Sequence, residues 1–470
     1  RRMLRLRNFL PVRKIQDCGN FSLRSYKFIE KSCNSVKIIL SMSYYNRLVD
    51  KELSFRLSCS GAVLITGPKW CGKTTTGQEQ AKSILKMQDP DFREGYLATA
   101  NTKPSLLLKG EKPRLIDEWQ EAPVLWDAVR TAVDNENKDG LFILTGSLNV
   151  DETKIHHSGT GRISRLKMYP MSLYESNESN GKISLKELFN EPDKDIDGVE
   201  SNLEIEDLIF AACRGGWPGS LFKSSREGSL FVAKDYFINL CENDISSVDG
   251  VKRNPTWTQA ILQSYARNIS TLAKTTNLLK DLKGKIENIS IDTLTAYISA
   301  LEKLYVLEDL DAWNPSIRSA TAIRAGRKRE FVDPSIAVAA LGLTTEYLEK
   351  DLKTFGFIFE CLCIRDLKIY SSSMDGRMAY YHDRYGLEAD GVLSLRDGRY
   401  ALLEFKLGSR EIEEGAAHLL EIKKLVREYN KKETQCPLRE PDLMIVVTGG
   451  KMAYTRNDGV KVIPIGTLKD

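Results

Sequence analysis

Residues 67–74 read Gly-Pro-Lys-Trp-Cys-Gly-Lys-Thr, which fits the eight-position pattern of a phosphate-binding loop. An apolar run that predicts a strand precedes this pattern, and a predicted helix follows it. The two glycines let backbone N–H groups turn inward around phosphates. We expect Lys73 to reach the β- and γ-phosphates of ATP and the Thr74 hydroxyl to ligate Mg²⁺. The residues expected to surround the nucleotide are Gly67, Pro68, Lys69, Trp70, Cys71, Gly72, Lys73, Thr74 and Thr75.

Two acidic residues, Asp117 and Glu118, end the next predicted strand, where a parallel sheet has its ligand crevice. Asp117 is expected to hold the magnesium shell, and Glu118 to polarise the attacking water as the catalytic residue. Thr145 ends the third predicted strand, and together with Ser147 it is placed to sense the γ-phosphate. The alternatives are an acidic pair that merely ends a strand and an ordinary Thr-Gly-Ser turn.

A second acidic group lies near the carboxyl terminus. Glu404 and Lys406 are two residues apart on a predicted strand, so their side chains point to the same face. Asp390 lies on the preceding strand, and a turn at Gly398 joins that strand to the strand of Glu404 and Lys406. Two carboxylates and one lysine can therefore converge. The alternative is an exposed cross-strand ion pair.

The elements that would position the first site alternate between apolar runs and helical patterns, which predicts a parallel α/β sheet. The predicted strands are Ala62 to Thr66, Arg114 to Asp117 and Leu141 to Thr145, and the predicted helices are Thr74 to Met87 and Val124 to Glu136. The polar stretch from Ser176 to Ser201 is expected to be an exposed connection with one short helix.

Residues 204–304 read as helices. Helices around Thr258 to Asn268, Ser270 to Leu282 and Ser290 to Leu301, followed by a strand from Tyr305 to Leu310, predict a winged helix-turn-helix. A local basic cluster, expected to form a positive strip that contacts DNA phosphates, consists of Arg318, Arg324, Arg327, Lys328 and Arg329. The alternative is that the helices transmit ATP-dependent movement and the cluster only solvates a hairpin.

From residue 352 onward the pattern is helix (352–370), three strands (about 377–405), helix (410–429) and strand (442–448). This order resembles the restriction-endonuclease-like fold. The resemblance implies that Asp390 and Glu404 bind Mg²⁺, with Glu360 on the opening helix as a further acid. It also implies that Lys406 orients or activates the attacking water. Such a fold does not by itself guarantee catalysis.

The stretch from Met42 to Asp470 resembles a prokaryotic family of ATPases, in which an AAA-type domain precedes a C-terminal region long catalogued as of unknown function. The segments that carry the resemblance are GPKWCGKTTT, RLIDEWQEAPVLWDAVR, FILTGS, GRISRLKMYPMSLYE, GGWPGSL, YARNISTLA and FVDPSIA. In AAA-type enzymes an arginine from a neighbouring subunit commonly completes the nucleotide site. Arg162 and Arg165 are the candidates for that role, in a homo-oligomer; the alternative is that both are solvated strand residues or bind a phosphate elsewhere.

The composition does not indicate a binding partner, because 68 Lys and Arg residues nearly balance 64 Asp and Glu residues among 470. No apolar run approaches the roughly 18 residues of a membrane helix, and the nine cysteines have no framework spacing. We therefore expect a cytoplasmic protein without a membrane partner. Residues 1–41 are strongly basic and are expected to be an upstream extension, with translation beginning at Met42; an organellar presequence is the alternative.

These observations predict an α/β protein with four parts. Residues 1–41 are the extension, 42–175 a P-loop parallel-sheet AAA-type domain, 176–345 a helical and winged-helix region, and 346–470 a restriction-endonuclease-like α/β domain. The expected function is ATP hydrolysis that acts on nucleic acid, with the ATP state controlling a magnesium-dependent nuclease-like domain. The alternative is an ATP-dependent regulatory switch whose C-terminal domain is catalytically silent and binds DNA or protein.

Overall fold

A computed structural model of the protein describes residues 44–146, 158–315, 326–433 and 435–470. The expectations for Ser147, Arg318 and Arg324 fall outside these ranges, as does the expected extension over residues 1–41. Within the described ranges, no helix is long and apolar enough to cross a bilayer.

Five parallel strands form the N-terminal sheet, in the order β2-β3-β4-β1-β5. They are β1 (Ala62–Thr66), β2 (Ser83–Lys86), β3 (Arg114–Asp117), β4 (Phe142–Thr145) and β5 (Ile163–Lys167). Central strands such as AVLIT and FILT are almost wholly apolar because helices cover both faces of a parallel sheet. The prediction of a parallel-sheet, P-loop ATPase-like region is confirmed.

Helices pack on both faces of this sheet. They are α1 (Val49–Cys59), α2 (Lys73–Gln80), α3 (Arg93–Thr102) and α4 (Val124–Glu136). Alternate residues of β1 face different cores: Ala62 and Leu64 share one core with α4, and Val63 and Ile65 share the other with α1. The sheet therefore holds the loop after β1 between two packed layers.

The helix after the phosphate loop is shorter than predicted. The sequence predicts a helix from Thr74 to Met87, but α2 ends at Gln80 and residues 83–86 form the edge strand β2. Leu85 is buried while Ile84 is 43% exposed, which is the alternation of a strand. Pairing with β3 therefore overrides the local helical pattern.

A helical region follows the sheet. Its helices are α5 (Leu185–Asn190), α6 (Ile205–Arg214), α7 (Pro218–Leu221), α8 (Arg226–Asn239), α9 (Ile245–Ser247), α10 (Pro255–Arg267), α11 (Thr275–Leu282), α12 (Ile291–Lys303), α13 (Pro334–Leu341) and α14 (Thr345–Lys350). A π-helix, Leu240–Asp244, joins α8 to α9.

The predicted winged helix-turn-helix corresponds to α10, α11 and α12. The predicted strand after them is reduced to two antiparallel bridges, Leu307 with Phe331 and Leu310 with Lys328. We call residues 306–311 and 327–332 the bridged segments. The winged-helix interpretation stays a prediction.

The C-terminal region contains one mixed sheet and two long helices. Its elements are α15 (Leu352–Tyr370), β7 (Arg377–His382), β8 (Glu388–Ser394), β9 (Tyr400–Lys406), α16 (Ile412–Lys432), β10 (Leu443–Thr448), β11 (Tyr454–Thr455) and β12 (Lys461–Pro464). The strand order is β11-β12-β10-β9-β8-β7, with β7, β8 and β9 antiparallel and β10 parallel to β9. The predicted helices and four strands are present, and the sequence pattern does not predict β11 and β12.

The polar stretch from Ser176 to Ser201 is not the exposed connection that its composition predicts. The leucines and the phenylalanine of α5 are buried, and β6 (Ile183–Ser184) pairs with β13 (Leu468–Lys469). One apolar core includes residues from Leu173 to Leu468, and the described residues between positions 47 and 470 form one compact unit. Long-range contacts therefore cover apolar residues that local composition marks as a linker.

A network of charges, here called the Arg365 network, is buried in this core. Arg365 of α15 pairs with Asp333 at 2.9 Å and with Asp366 at 2.7 Å, and all three side chains are at most 2% exposed. Backbone N–H groups also donate to the carboxylates, Gly216 to Asp333 at 2.9 Å and Leu173 to Asp366 at 3.0 Å. The network therefore joins segments that lie far apart in the sequence.

Replacing Arg365 with methionine should leave buried carboxylates without their cation. We expect the free energy of unfolding to fall by about 3 to 5 kcal/mol. The control is Arg396→Met, because the Arg396 side chain is 83% exposed and pairs with Asp375 only at the surface; its loss should stay below about 1 kcal/mol. Equal losses in denaturant unfolding would contradict the structural role of the network.

Candidate nucleotide site and C-terminal acidic cluster

The phosphate loop connects β1 to α2, and its geometry requires both glycines. Gly67 has a φ of 144° and Gly72 a φ of 103°, in the left-handed region that favours glycine. A Cβ at position 67 would come within 2.1 Å of the Met168 carbonyl oxygen. The loop pattern is therefore matched by the backbone conformation.

Lys73 begins α2 and is 6% exposed. Its Nζ donates to the carbonyl oxygens of Gly67 and Pro68 at 3.0 and 2.8 Å. Phosphate is a stronger acceptor for an ammonium group than a neutral carbonyl, because both partners are then charged. The loop therefore fits the phosphates of a nucleotide.

Asp117 is held by two hydroxyl groups at the end of β3. Thr74 and Thr145 donate to Asp117 Oδ1 at 2.7 and 2.6 Å. The sheet register produces this arrangement, because Asp117 pairs with Thr145 across β3 and β4. Carboxylate and hydroxyl oxygens are ligands that Mg²⁺ prefers. These residues fit a magnesium ion, which Thr74 and Asp117 would hold.

Glu118 follows with a φ of 54°, in the left-handed region. Its side chain lines the cavity at the loop, and the Gln120 amide donates to its carboxylate. Burial raises the pKa of Glu118 in spite of that hydrogen bond. A raised pKa makes this carboxylate a stronger base.

A cavity of about 470 Å³ opens at the phosphate loop. Its lining consists of Lys69, Trp70, Gly72, Lys73, Thr74, Thr75, Gln88, Glu118, Pro218 and Gly219. Sequence analysis did not assign Pro218 and Gly219, which the helical region contributes from α7. The Gly-Gly-Trp-Pro-Gly segment was the available signal: Gly216 abuts the Met171 backbone, where a Cβ would lie 2.2 Å from the carbonyl oxygen.

Two adjacent loop side chains face different surroundings. Trp70 is 57% exposed and lines the cavity, whereas Cys71 is fully buried. The Cys71 thiol points to the Met168 carbonyl oxygen, 3.9 Å away, and Arg47 donates to the Cys71 carbonyl at 2.8 Å. Cys71 can therefore offer a nucleotide only its backbone.

Arg162 does not line the nucleotide cavity of its own chain. The Ala62 N–H donates to the Arg162 carbonyl at 3.0 Å, beside the start of β1, whereas the phosphate loop follows the end of β1. The Arg162 side chain pairs with Asp134 at 2.8 Å. A role for Arg162 or Arg165 in a neighbouring subunit, and the homo-oligomer it requires, stay predictions.

The C-terminal acidic residues converge as the strand pattern predicts. Lys406 Nζ lies 3.2 Å from Asp390 Oδ2 and 2.7 Å from Glu404 Oε2. Because both oxygens contact the same nitrogen, they lie no more than about 6 Å apart. The Phe405 N–H donates to Asp390 Oδ2 at 3.0 Å. We call Asp390, Glu404, Lys406 and Glu360 the acidic cluster.

A second lysine, Lys328 of the bridged segments, enters the acidic cluster. Its Nζ forms an ion pair with Glu360 and lies 3.7 Å from Asp390 Oδ1. It also donates to the Asp390 carbonyl at 3.2 Å, and the residue is 6% exposed. Lys328 is therefore an internal counter-charge.

The prediction of a positive surface strip is wrong for Lys328 and Arg329. Arg329 is also buried, and it pairs with Asp309 at 2.8 Å. Arg327 is exposed but pairs with Asp311 at 3.0 Å. Carboxylates thus balance the charges of this segment.

The charge balance of the acidic cluster does not fit a divalent cation in this arrangement. Burial, with repulsion from Asp390, raises the pKa of Glu404 to about 8, and burial raises the pKa of Glu360 well above its ordinary value. Burial opposes ionisation of Asp390 too, but Lys328 and Lys406 hold its pKa below the ordinary value. In the described part of the chain, no group of three or more His, Cys, Asp or Glu side chains is placed to hold a metal ion. Lysines instead join the residues expected to be metal ligands.

A cleft of about 1130 Å³ borders the cluster, and its lining includes Lys328, Glu360, Asp390, Lys406 and His418. His418 of α16 places Nδ1 3.5 Å from Glu404 Oε1. Sequence analysis assigned Lys328 to a surface strip and did not assign His418, because no fixed spacing links either residue to the Glu-x-Lys pair.

Three family models match separate parts of the chain. Residues 60–177 match the AAA domain, residues 205–347 match a domain of unknown function (DUF8612), and residues 355–468 match a domain of unknown function (DUF4143). No curated protein matches the chain. The first match, together with the phosphate loop and the parallel sheet, supports an AAA-type ATPase domain.

Several solved structures are similar to parts of the chain. A Walker-type ATPase of Pyrococcus abyssi is 16% identical, with 63% of this chain and 96% of that chain covered and a TM-score of 0.40. A RuvB mutant of Thermotoga maritima is 16% identical, with 55% of this chain and 88% of that chain covered and a TM-score of 0.23. A DNA polymerase III gamma subunit-related protein of the same organism is 12% identical, with 55% of this chain and 100% of that chain covered and a TM-score of 0.22. The domain assignment rests on the family model and the site geometry.

Glu404→Gln tests the charge balance of the acidic cluster. Between about pH 5 and 8 the unfolded chain carries ionised Glu404, whereas the folded protein keeps this carboxyl protonated. The unfolded state binds fewer protons, so Glu404 should lower stability as pH rises, by at most about 1.4 kcal/mol per pH unit. Glu404→Gln should remove this fall from the free energy of unfolding, while Glu388→Gln, at an exposed position on β8, should not. Equal slopes for both variants would contradict the assignment.

Proposed function

We propose that this protein binds and hydrolyses ATP. The observation that carries the proposal is Asp117, fixed between the hydroxyls of Thr74 and Thr145 beside the cavity that Lys73 and Glu118 line. A buried cation, a pair of oxygen ligands and a base thus occupy one site. Phosphoryl transfer to water requires this combination.

Each residue has one role in this proposal. Lys73 would exchange its carbonyl partners for the β- and γ-phosphates. Thr74 and Asp117 would hold Mg²⁺, which when bound supplies positive charge to the phosphate oxygens. Glu118 would orient the attacking water and accept its proton. Thr145 would hold Asp117 in position and sense the γ-phosphate.

Two substitutions separate binding from hydrolysis. Lys73→Ala should abolish ATP binding, because the buried cation of the loop is lost. Glu118→Gln should keep ATP binding but hydrolyse at least about 100-fold more slowly, because an amide cannot accept the proton. Glu79→Gln is the control, since Glu79 is exposed on α2 and does not line the cavity. Hydrolysis by Glu118→Gln at the rate of the control would remove Glu118 from its role.

For the C-terminal region we propose a restriction-endonuclease-like domain that acts on nucleic acid under control of the ATP state. Two observations support this proposal. The element order α15, β7 to β9, α16 and β10 is the order on which the resemblance rests. Asp390 and Lys406 also line one cleft of about 1130 Å³, and the buried Glu404 contacts Lys406 beside it.

The second candidate is a regulatory switch whose C-terminal domain is catalytically silent and binds DNA or protein. Lys328 favours it, because an ammonium group pairs with Glu360 and lies near Asp390 where a nuclease would need a metal ion. An ATP-controlled nuclease would have to withdraw Lys328 from the acidic cluster.

Lys328→Ala distinguishes these candidates. Without this ammonium group, Glu360 loses its counter-charge and Asp390 keeps only Lys406, so a divalent cation should bind and stabilise the protein. We expect Mn²⁺ to raise the unfolding temperature of Lys328→Ala, and plasmid nicking to appear with the metal. Lys353→Ala is the control, because Lys353 lines the same cleft outside the cluster.

Adding Asp390→Asn to Lys328→Ala should abolish both the metal-dependent stabilisation and the nicking. Metal binding without nicking in the presence or absence of ATP would favour the silent switch. Failure of Lys328→Ala to bind any divalent cation would contradict the nuclease proposal.

A further inference from the structure

Lys69 lies inside the phosphate loop, but its side chain contacts the helical region. Its Nζ lies 2.6 Å from Asp244 Oδ1. The Lys69 side chain is 33% exposed and that of Asp244 is 17% exposed, so the pair lies at the rim of the cavity. Lys69 lines this cavity with Lys73 and Glu118.

Asp244 is the last residue of the π-helix Leu240–Asp244, which interrupts the helical run from α8 to α9. Such π-helical turns are rare and occur frequently at functional sites. A second contact between the loop and α8 lies close by, since the rings of Trp70 and Tyr236 are 6.4 Å apart. Tyr236 in turn stacks on Trp217, with 4.2 Å between the ring centroids. The phosphate loop thus touches the helical region at two points.

Lys69 shares its cavity with the carboxylate assigned to water activation, because Lys69 and Glu118 both line it. Lys69 therefore borders the space where Glu118 would hold the attacking water. In a phosphate loop, the γ-phosphate must lie beside that water.

We propose that Lys69 exchanges Asp244 for the γ-phosphate of ATP. Lys69 is then a catalytic residue that stabilises charge on the γ-phosphate, and Asp244 is its partner when no γ-phosphate is present. One ion pair breaks and one forms, so Lys69 stays paired while Asp244 loses its cation. The inference rests on the proposed ATP hydrolysis and adds a route by which the nucleotide state reaches α8 and α9.

Electrostatics favour the exchange. The Lys69–Asp244 pair is partly buried, so breaking it has a cost that the contact with phosphate must exceed. A terminal phosphate offers more negative charge and three strong acceptor oxygens. ADP lacks the terminal phosphate, so it leaves the Lys69–Asp244 pair intact. Lys69 therefore distinguishes ATP from ADP, whereas Lys73 also contacts the β-phosphate that both nucleotides share.

Calorimetric titration of the full chain with ADP and with the non-hydrolysable β,γ-imido analogue of ATP tests the inference. Lys69→Met should weaken binding of the analogue about tenfold or more, the range for a lost hydrogen bond to a charged group. ADP affinity should change less than about threefold. Lys51→Met is the control, because the Lys51 side chain is 82% exposed and lies on α1 outside the cavity.

Asp244→Asn provides the second arm. Removing the competing carboxylate should tighten binding of the analogue and leave ADP affinity unchanged. Because the exchange releases Asp244, the analogue should change proteolytic cleavage near residues 240–247 in the wild type, and Asp244→Asn should remove that change.

The outcomes separate the inference from the function on which it rests. Failure of the wild type to bind either nucleotide would contradict the proposed ATP hydrolysis. Wild-type binding, with equal losses for both nucleotides in Lys69→Met or an unchanged analogue preference in both variants, would overturn the inference alone.

Discussion

The buried ion pair between Arg365 and Asp333 constrains the rest of the fold. A buried charge is stable only with its partners in place. Three parts of the chain must therefore keep their relative positions: α15, the glycine-containing segment before α7, and the end of the N-terminal domain. Asp333 accepts the Gly216 N–H, two residues before Pro218 in the nucleotide cavity. The same helix that carries Arg365 carries Glu360 of the acidic cluster. The nucleotide cavity and the acidic cluster therefore share one buried framework.

Much of the nucleotide site could be predicted because its signals are local. The loop pattern determines the glycine conformations and the start of α2, and Asp117 follows a strand whose apolar residues are contiguous. Thr74, Asp117 and Thr145 meet because of the strand order. Their proximity can still be expected from the sequence, because the carboxyl ends of parallel strands lie at one edge of the sheet. The convergence of Asp390, Glu404 and Lys406 was predictable for a similar reason, because alternation along adjacent strands sets which side chains share a face.

Other features depend on contacts that no local pattern encodes. In the sequence, Lys328 and Arg329 are part of a basic cluster that predicts a positive surface. In the structure both are buried, because they form ion pairs with Glu360 and Asp309, which are distant in sequence. The polar composition of residues 176–201 conceals the apolar face of α5, which only the complete core covers. Pro218 and Gly219 reach the nucleotide cavity through the packing of α7, which their spacing from the phosphate loop cannot reveal. In each case tertiary packing overrides a compositional signal.

The proposed control of the C-terminal region by the ATP state requires that the nucleotide state reach the acidic cluster through this buried framework. Hydrogen–deuterium exchange of the Glu118→Gln protein, compared between ADP and ATP, measures it directly, because ATP stays intact long enough to be observed. We predict altered exchange in residues 240–247 and 326–333 and in α15, in addition to the phosphate loop. Changes confined to residues 60–177 would contradict the claim and leave the ATPase domain uncoupled from the C-terminal region.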